Sequence, residues 1–100
     1  EVQLDPGPLI RTRMARTFIP TLLRPLCAGA AELDVDARTL DELLRALDAR
    51  CPGFYDRVVE NGHVRPELAI AIDGEAAAYP LHEPLAPSAE VTIVPAIGGG

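Results

Sequence analysis

Hydrophobic and polar residues alternate along two stretches of the chain and recur at helical spacing along a third. From Glu32 to Asp36 the alternation is strict: Leu33 and Val35 point one way, and Glu32, Asp34 and Asp36 the other. That is a strand with one wet face. Leu68 to Asp73 repeats the pattern, Leu68, Ile70 and Ile72 against Ala69, Ala71 and Asp73. So small a second side predicts an element packed closely over it. Between them, Leu40, Leu43, Leu44 and Leu47 form one apolar stripe and predict a helix over Thr39–Arg50. Thr39 and Glu42 have capping-box spacing, and Asp41 and Glu42 suit the positive N-terminal end. Arg50 suits the last turn, Pro52-Gly53 ends the helix, and Asp41, Glu42, Arg45 and Asp48 make its solvated face.

The remaining segments carry weaker patterns. Ala15–Pro20 is expected as a first strand, pairing antiparallel with Glu32–Asp36. Thr21–Gly29, punctuated by Pro25 and Gly29, is expected as a long connection with Leu22, Leu23 and Leu26 tucked beneath it. Phe54–Glu60 adds a helical turn or two, with Phe54, Val58 and Tyr55 inward. Asn61-Gly62 and Asp73-Gly74 are turn signals. Glu75–Tyr79 is a short return strand, and Leu81–Ala89 a proline-rich loop anchored by Leu81 and Leu85. Val91-Thr92-Ile93-Val94 is the final strand, stopped by Pro95, which cannot donate to a ladder. The order is strand, strand, helix, strand, short strand, strand. If the last strand lies parallel to the first, the helix supplies the crossover. The expected fold is α+β, a β-grasp with a mixed sheet of four to five strands and one main helix across one face.

Composition narrows the function. One hundred residues make one domain with a core of Leu, Val, Ile and Ala. The net charge is −6 and no basic stripe is present, which argues against nucleic acid and for a basic protein surface as partner. All nine basic residues are Arg, so no side chain can accept an isopeptide bond. Cys27 and Cys51 are far apart and are expected as two reduced thiols in a cytoplasmic protein. No apolar run is long enough for a membrane helix. Residues 1–13 are expected as a flexible extension, foreign or upstream if Met14 is the natural start, followed by the domain at 14–97 and a flexible glycine tail at 98–100. His63 and His82 are isolated, so no metal site is expected. Ser88 is the sole serine, which leaves no hydrolase triad.

What remains is the ending, Val91 to Gly100. Gly98, Gly99 and Gly100 have no β-carbon, so the final strand carries a thin thread with one distinctive group, a carboxylate. Ends of chains are commonly frayed, and an idle tail is one reading. The other is that the thread enters a narrow channel, where its carboxylate attacks an activated phosphate and the acyl adenylate is captured by sulfur or nitrogen.

Three features resemble the bacterial ubiquitin-like sulfur carriers, the MoaD/ThiS family. They are Phe18-Ile-Pro-Thr-Leu-Leu-Arg-Pro25, the Thr39-x-x-Glu-Leu-Leu helix leading to Cys51-Pro-Gly53, and Glu90-Val-Thr-Ile-Val-Pro95 followed by Ala-Ile-Gly-Gly-Gly100. Pro87-Ser88-Ala89 departs from the Asp-Gly-Asp-like turn frequent in that family. The resemblance implies a non-enzymatic carrier that binds no cofactor. An E1-like adenylating and sulfurylating enzyme would use ATP on Gly100, which then carries the thiocarboxylate. Gly99 and Gly98 would give clearance, with Pro95, Ile97 and Gly98 at the partner interface. The sulfur acceptor it implies is a cysteine synthase-like enzyme or the molybdopterin synthase large subunit, the cysteine type being favoured. A ubiquitin-like modifier conjugated through its terminal glycine, and a β-grasp binding module with an idle tail, are the alternatives.

Overall fold

The computed structural model describes residues 14–96. Ten elements follow one another: β1 (Met14–Phe18), a 3₁₀ helix (Thr21–Cys27), β2 (Glu32–Asp36), α1 (Leu40–Arg50), α2 (Phe54–Val58), β3 (Val59–Glu60), β4 (His63–Val64), β5 (Leu68–Ile72), β6 (Glu75–Ala77) and β7 (Glu90–Pro95). Five strands form one mixed sheet in the order β2-β1-β7-β5-β6. β1 pairs antiparallel with β2 and parallel with β7, and α1 lies in the crossover, as the strand and helix order requires. This is the β-grasp fold. A separate two-stranded hairpin, β3-β4, turns at Asn61-Gly62.

One face of the sheet is the core. Ala15, Val35, Ile70, Val91 and Ile93 meet Leu40, Leu43, Leu44 and Leu47 of α1, all buried. Phe54 and Val58 close the cluster from α2. Thr17, fully buried among them, has no hydrogen-bond partner for its Oγ1 among the described residues.

Capping fixes where α1 begins. Thr39 Oγ1 accepts the Glu42 N–H at 3.1 Å. Glu42 reaches back to the N–H of Arg38 at 2.9 Å, one residue earlier than a standard capping box. The other free donors are met by the proline-rich loop: Leu40 N–H donates to the Glu83 carbonyl and Asp41 N–H to the Leu81 carbonyl. Leu85 is buried under this junction and Leu81 packs partly against the core, so both act as anchors. Asp48, expected on the wet face, is half-buried and caps α2 by accepting from the N–H groups of Gly53 and Tyr55.

Four sequence expectations are corrected. Thr21–Cys27 is a 3₁₀ helix, not an irregular connection. Leu23 is buried and Leu26 partly so, but Leu22 is 83 % exposed. Cys27 and Cys51 are not free thiols; they form a disulfide, with Cα atoms 4.7 Å apart, within the bridging range. The end of the 3₁₀ helix and the C-cap of α1 meet in space although 24 residues separate them. Lastly, among the described residues the element expected over Ala69 and Ala71 is not a helix. They lie half-buried on the outer face, while the leucines of α1 belong to the core that Ile70 faces.

Candidate functional site

β7 is the central strand, bonded to β1 on one side and β5 on the other. Val91 and Ile93 are buried on its core face, and Val94 is 38 % exposed on the other. Its β-branched residues suit a strand held on both sides. In register, Leu68 stands opposite Pro95, and one residue later Ala96 N–H donates to the Glu67 carbonyl at 2.8 Å. That bond is the last holding the chain before residue 97. Of the predicted site residues, Pro95 therefore sits exposed at the end of the sheet, where the tail is rooted. Ile97, Gly98, Gly99 and Gly100 lie outside the described residues.

The outer face around that root divides by chemistry. Toward the start of β7, Arg16 bonds Asp34 at 3.1 Å and lies 3.3 Å from Glu32. Its hydrogen bond to Asp34, and the charges of Asp34 and Glu32, hold the guanidinium pKa above its ordinary value. Toward Pro95 the outer-face neighbours of β7 on β1 and β5 carry no charge. Phe18, Thr92 and Ala71 stand side by side across three strands, with Val94 beside Ala69 in the next row.

A groove of about 310 Å³ opens next to this apolar corner. One wall is the end of β1 and the start of the 3₁₀ helix, with Phe18, Leu22 and Arg24; the other is the end of β7, with Thr92, Val94 and Pro95. Arg24 is tied down by donating from Nε to the Ile19 carbonyl at 3.0 Å. Leu22 is the functional candidate that sequence reasoning missed. The signal was there: in a 3₁₀ helix, positions i and i+3 share a face, so Leu23 and Leu26 go in together and Leu22 is left out.

The other described residues offer little chemistry of their own. Among the described residues no His, Cys, Asp and Glu group is arranged to hold a metal ion, and no helix is long and apolar enough to cross a membrane. His63 and His82 are exposed and apart from the groove. One polar cluster ties α1 to α2. Tyr55 Oη donates to Asp41, Arg45 Nε donates to the same carboxylate at 2.7 Å, and the guanidinium lies 4.5 Å from the Tyr55 ring centre. Burial works to raise the Asp41 pKa, but hydrogen bonds from Tyr55 and Arg45 outweigh it and hold it below the ordinary carboxylate value. Accepting from Tyr55, Asp41 in turn raises the phenol, as burial also does. The cluster is a brace between helices. The chemistry available at the groove is recognition by apolar contact, with the Arg24 guanidinium on one wall.

A family model described as the ThiS family matches residues 22–100. No curated protein matches the chain. Among solved structures, CysO of Mycobacterium tuberculosis is similar at 26% identity and a TM-score of 0.78, covering 83% of this chain and 99% of that one. A chain of the Amycolatopsis orientalis BexX/CysO complex gives the same TM-score at 23% identity, over 86% of this chain and 99% of its own. SAMP1 of Haloferax volcanii is similar at 26% identity and a TM-score of 0.69, over 87% and 99%.

Proposed function

This chain belongs to the ThiS family, and from that premise we propose that it is a sulfur carrier working through Gly100. A carboxylate oxygen of Gly100 attacks the α-phosphate of ATP held by an E1-like enzyme, and pyrophosphate leaves. Sulfide, delivered by a sulfur donor, then displaces AMP and leaves a thiocarboxylate. The terminal sulfur is a nucleophile on a narrow arm. It passes to the substrate of an acceptor enzyme in a biosynthetic pathway, and the carrier returns with a carboxylate. The chain is a co-substrate in this scheme, not the catalyst, and the activating enzyme supplies the ATP site. Pro95 and Ile97 stand at the partner interface, and Gly98 and Gly99 give clearance for threading.

The single observation that carries this reading is the agreement of family and geometry at one place. The family match runs through the glycines to residue 100, and the strand they follow is the sheet's central one, ending at an apolar corner. A rigid root beside a recognisable surface is what a tethered nucleophile needs in order to be delivered to a deep site. The cysteine-type acceptor is favoured over the molybdopterin synthase large subunit by the likeness to CysO.

A second reading has its own support. SAMP1, a small archaeal modifier protein, shares the fold at 26% identity, and protein modification uses the same adenylate with a lysine amine as the final nucleophile. An idle tail is the third.

Intact mass of the protein from its native cells, with the modification mapped to the C-terminal peptide, separates the three. A sulfur-for-oxygen gain at Gly100 is expected. Protein adducts joined through Gly100 with no thiocarboxylate would instead establish the modifier. Deleting Gly99 and Gly100 is expected to abolish function with the fold intact; full activity of that deletion would sink the carrier and modifier readings together.

A further inference from the structure

We propose that the Cys27–Cys51 disulfide is a redox-sensitive staple that sets the shape of the groove beside Pro95, so that thiol state governs how well the activating enzyme engages and charges this carrier. The inference rests on the preceding reading for its consequence, but not for its structural part.

The wall that carries Leu22 is the weak one. It is a seven-residue 3₁₀ helix, a length at which that hydrogen-bond pattern is seldom sustained alone. Its N-cap, Pro20, offers no side-chain bond, no acidic residue sits in its first turn, and Pro25 inside it has no N–H to give. Its backbone bonds are local: Leu23 N–H to the Pro20 carbonyl, Gly29 N–H to the Arg24 carbonyl and Ala30 N–H to the Cys27 carbonyl. The chain on either side is firmly placed, by β1 before it and by the Ile19 N–H bond to the Ala31 carbonyl after it. The helix itself is held by Leu23, by part of Leu26, by the Arg24 bond to the Ile19 carbonyl and by the covalent link from Cys27 to the C-cap of α1. α1 is the most thoroughly anchored element, with four buried leucines and a capped start. The disulfide thus ties the least self-sufficient element to the most rigid one, and Leu22 and Arg24 project from the tied element into the groove. The opposite wall, β7, is bonded on both sides and does not depend on the staple.

The chemistry is thiol–disulfide exchange. A thiolate of an external dithiol attacks Cys27 Sγ, the less buried sulfur-bearing residue at 7 % exposure against 1 % for Cys51. The Sγ–Sγ bond breaks and Cys51 leaves as thiolate. The reductant's second thiolate then resolves the mixed disulfide; Cys27 and Cys51 gain two electrons and two protons, and the dithiol becomes a disulfide. A carrier charged with ATP works where ATP is, in a compartment kept reducing, and disulfides found there are characteristically transient and redox-sensing.

Methyl NMR of the full chain, oxidised and after reduction with a dithiol, tests the structural part. Shifts of the Leu22, Leu26 and Val94 methyls are expected, with those of Leu40 and Leu85, at the start of α1 away from Cys51, unchanged. Unchanged Leu22 and Val94 methyls would overturn the proposal. So would collapse of the whole methyl spectrum, because the bond would then support the entire fold and not one wall. The functional part is read as the thiocarboxylate fraction at Gly100 in native cells. Cys27→Ala/Cys51→Ala and Leu22→Ser are each expected to lower it several-fold, with the fold verified by circular dichroism. Wild-type levels in both variants would refute the inference and leave the carrier reading standing. Absence of thiocarboxylate from the unaltered protein would remove the carrier reading and with it the regulatory role.

Discussion

Reducing the Cys27–Cys51 bond should lower the melting temperature by about 15–25 °C. The bond spans a sequence separation of 24. Closing a loop of that length removes about 12 cal/mol/K of entropy from the unfolded chain, or about 3.5 kcal/mol at 25 °C. Little opposes this in the folded state, since both cysteines are buried and reduced thiols pack as small hydrophobes. For a domain of this length, 1 kcal/mol moves the midpoint by about 4–8 °C. Total stability of about 5–15 kcal/mol leaves the reduced form folded at room temperature. The assay is a thermal melt followed by circular dichroism, with and without a phosphine reductant, each sample's thiols counted by alkylation under denaturing conditions. A fall of less than about 4 °C, corresponding to under about 1 kcal/mol, would refute the reasoning. Two alkylatable cysteines in fully oxidised conditions would refute its premise.

Four further outcomes follow from particular residues. Thr39→Ala removes the acceptor for the Glu42 N–H and should cost about 1 kcal/mol in a denaturant titration with unchanged m-value. Thr17→Val replaces a buried hydroxyl that has no partner among the described residues, and should raise stability by about 1 kcal/mol; a loss would mean the hydroxyl is satisfied. Phe54→Ala empties a fully buried site between the helices and the sheet, and should cost about 3–5 kcal/mol by the same titration. For pH, Asp41 is held below its ordinary value, so its contribution is present above that value and lost as pH falls through the lower folded one. The raised Tyr55 works the other way, contributing below its ordinary value and losing that contribution as pH rises through the folded one. Melting temperature against pH should fall at both ends, and Tyr55→Phe should flatten both falls.

Much of this architecture was written in local pattern. The alternation of Glu32–Asp36 and the leucine stripe of α1 appear at their expected bounds to within a residue. Asp73-Gly74 makes the tight β5-β6 turn, with both residues at positive φ. The unusual Pro87-Ser88-Ala89 segment still turns, since Ser88 takes the left-handed backbone that a glycine takes elsewhere. What escaped was whatever depends on distant partners. β3 and β4 are two residues each, too short to show a period. Among the leucines after Pro20 the burial of Leu23 and Leu26 was legible, but the exposure of Leu22 and the helix that causes it were not. The disulfide depends on where two elements end in space, which spacing along the chain does not encode. At the end of β7, Pro95 does not stop the pairing as its missing N–H suggested: it stands opposite Leu68, and the Ala96 N–H still bonds the Glu67 carbonyl; Leu22 required knowing the 3₁₀ geometry.

The parallel β1–β7 pair has a mechanical consequence. Met14 begins β1 at one end of the sheet and Pro95 ends β7 at the other. A load applied between Met14 and Pro95 therefore runs along both strands and stresses their cross-strand bonds in shear, all together, whereas antiparallel neighbours pulled from one end would unzip one bond at a time. Force applied at Pro95 along β7 meets the stiffest direction the sheet has. The described body behaves as a handle that stays folded under traction.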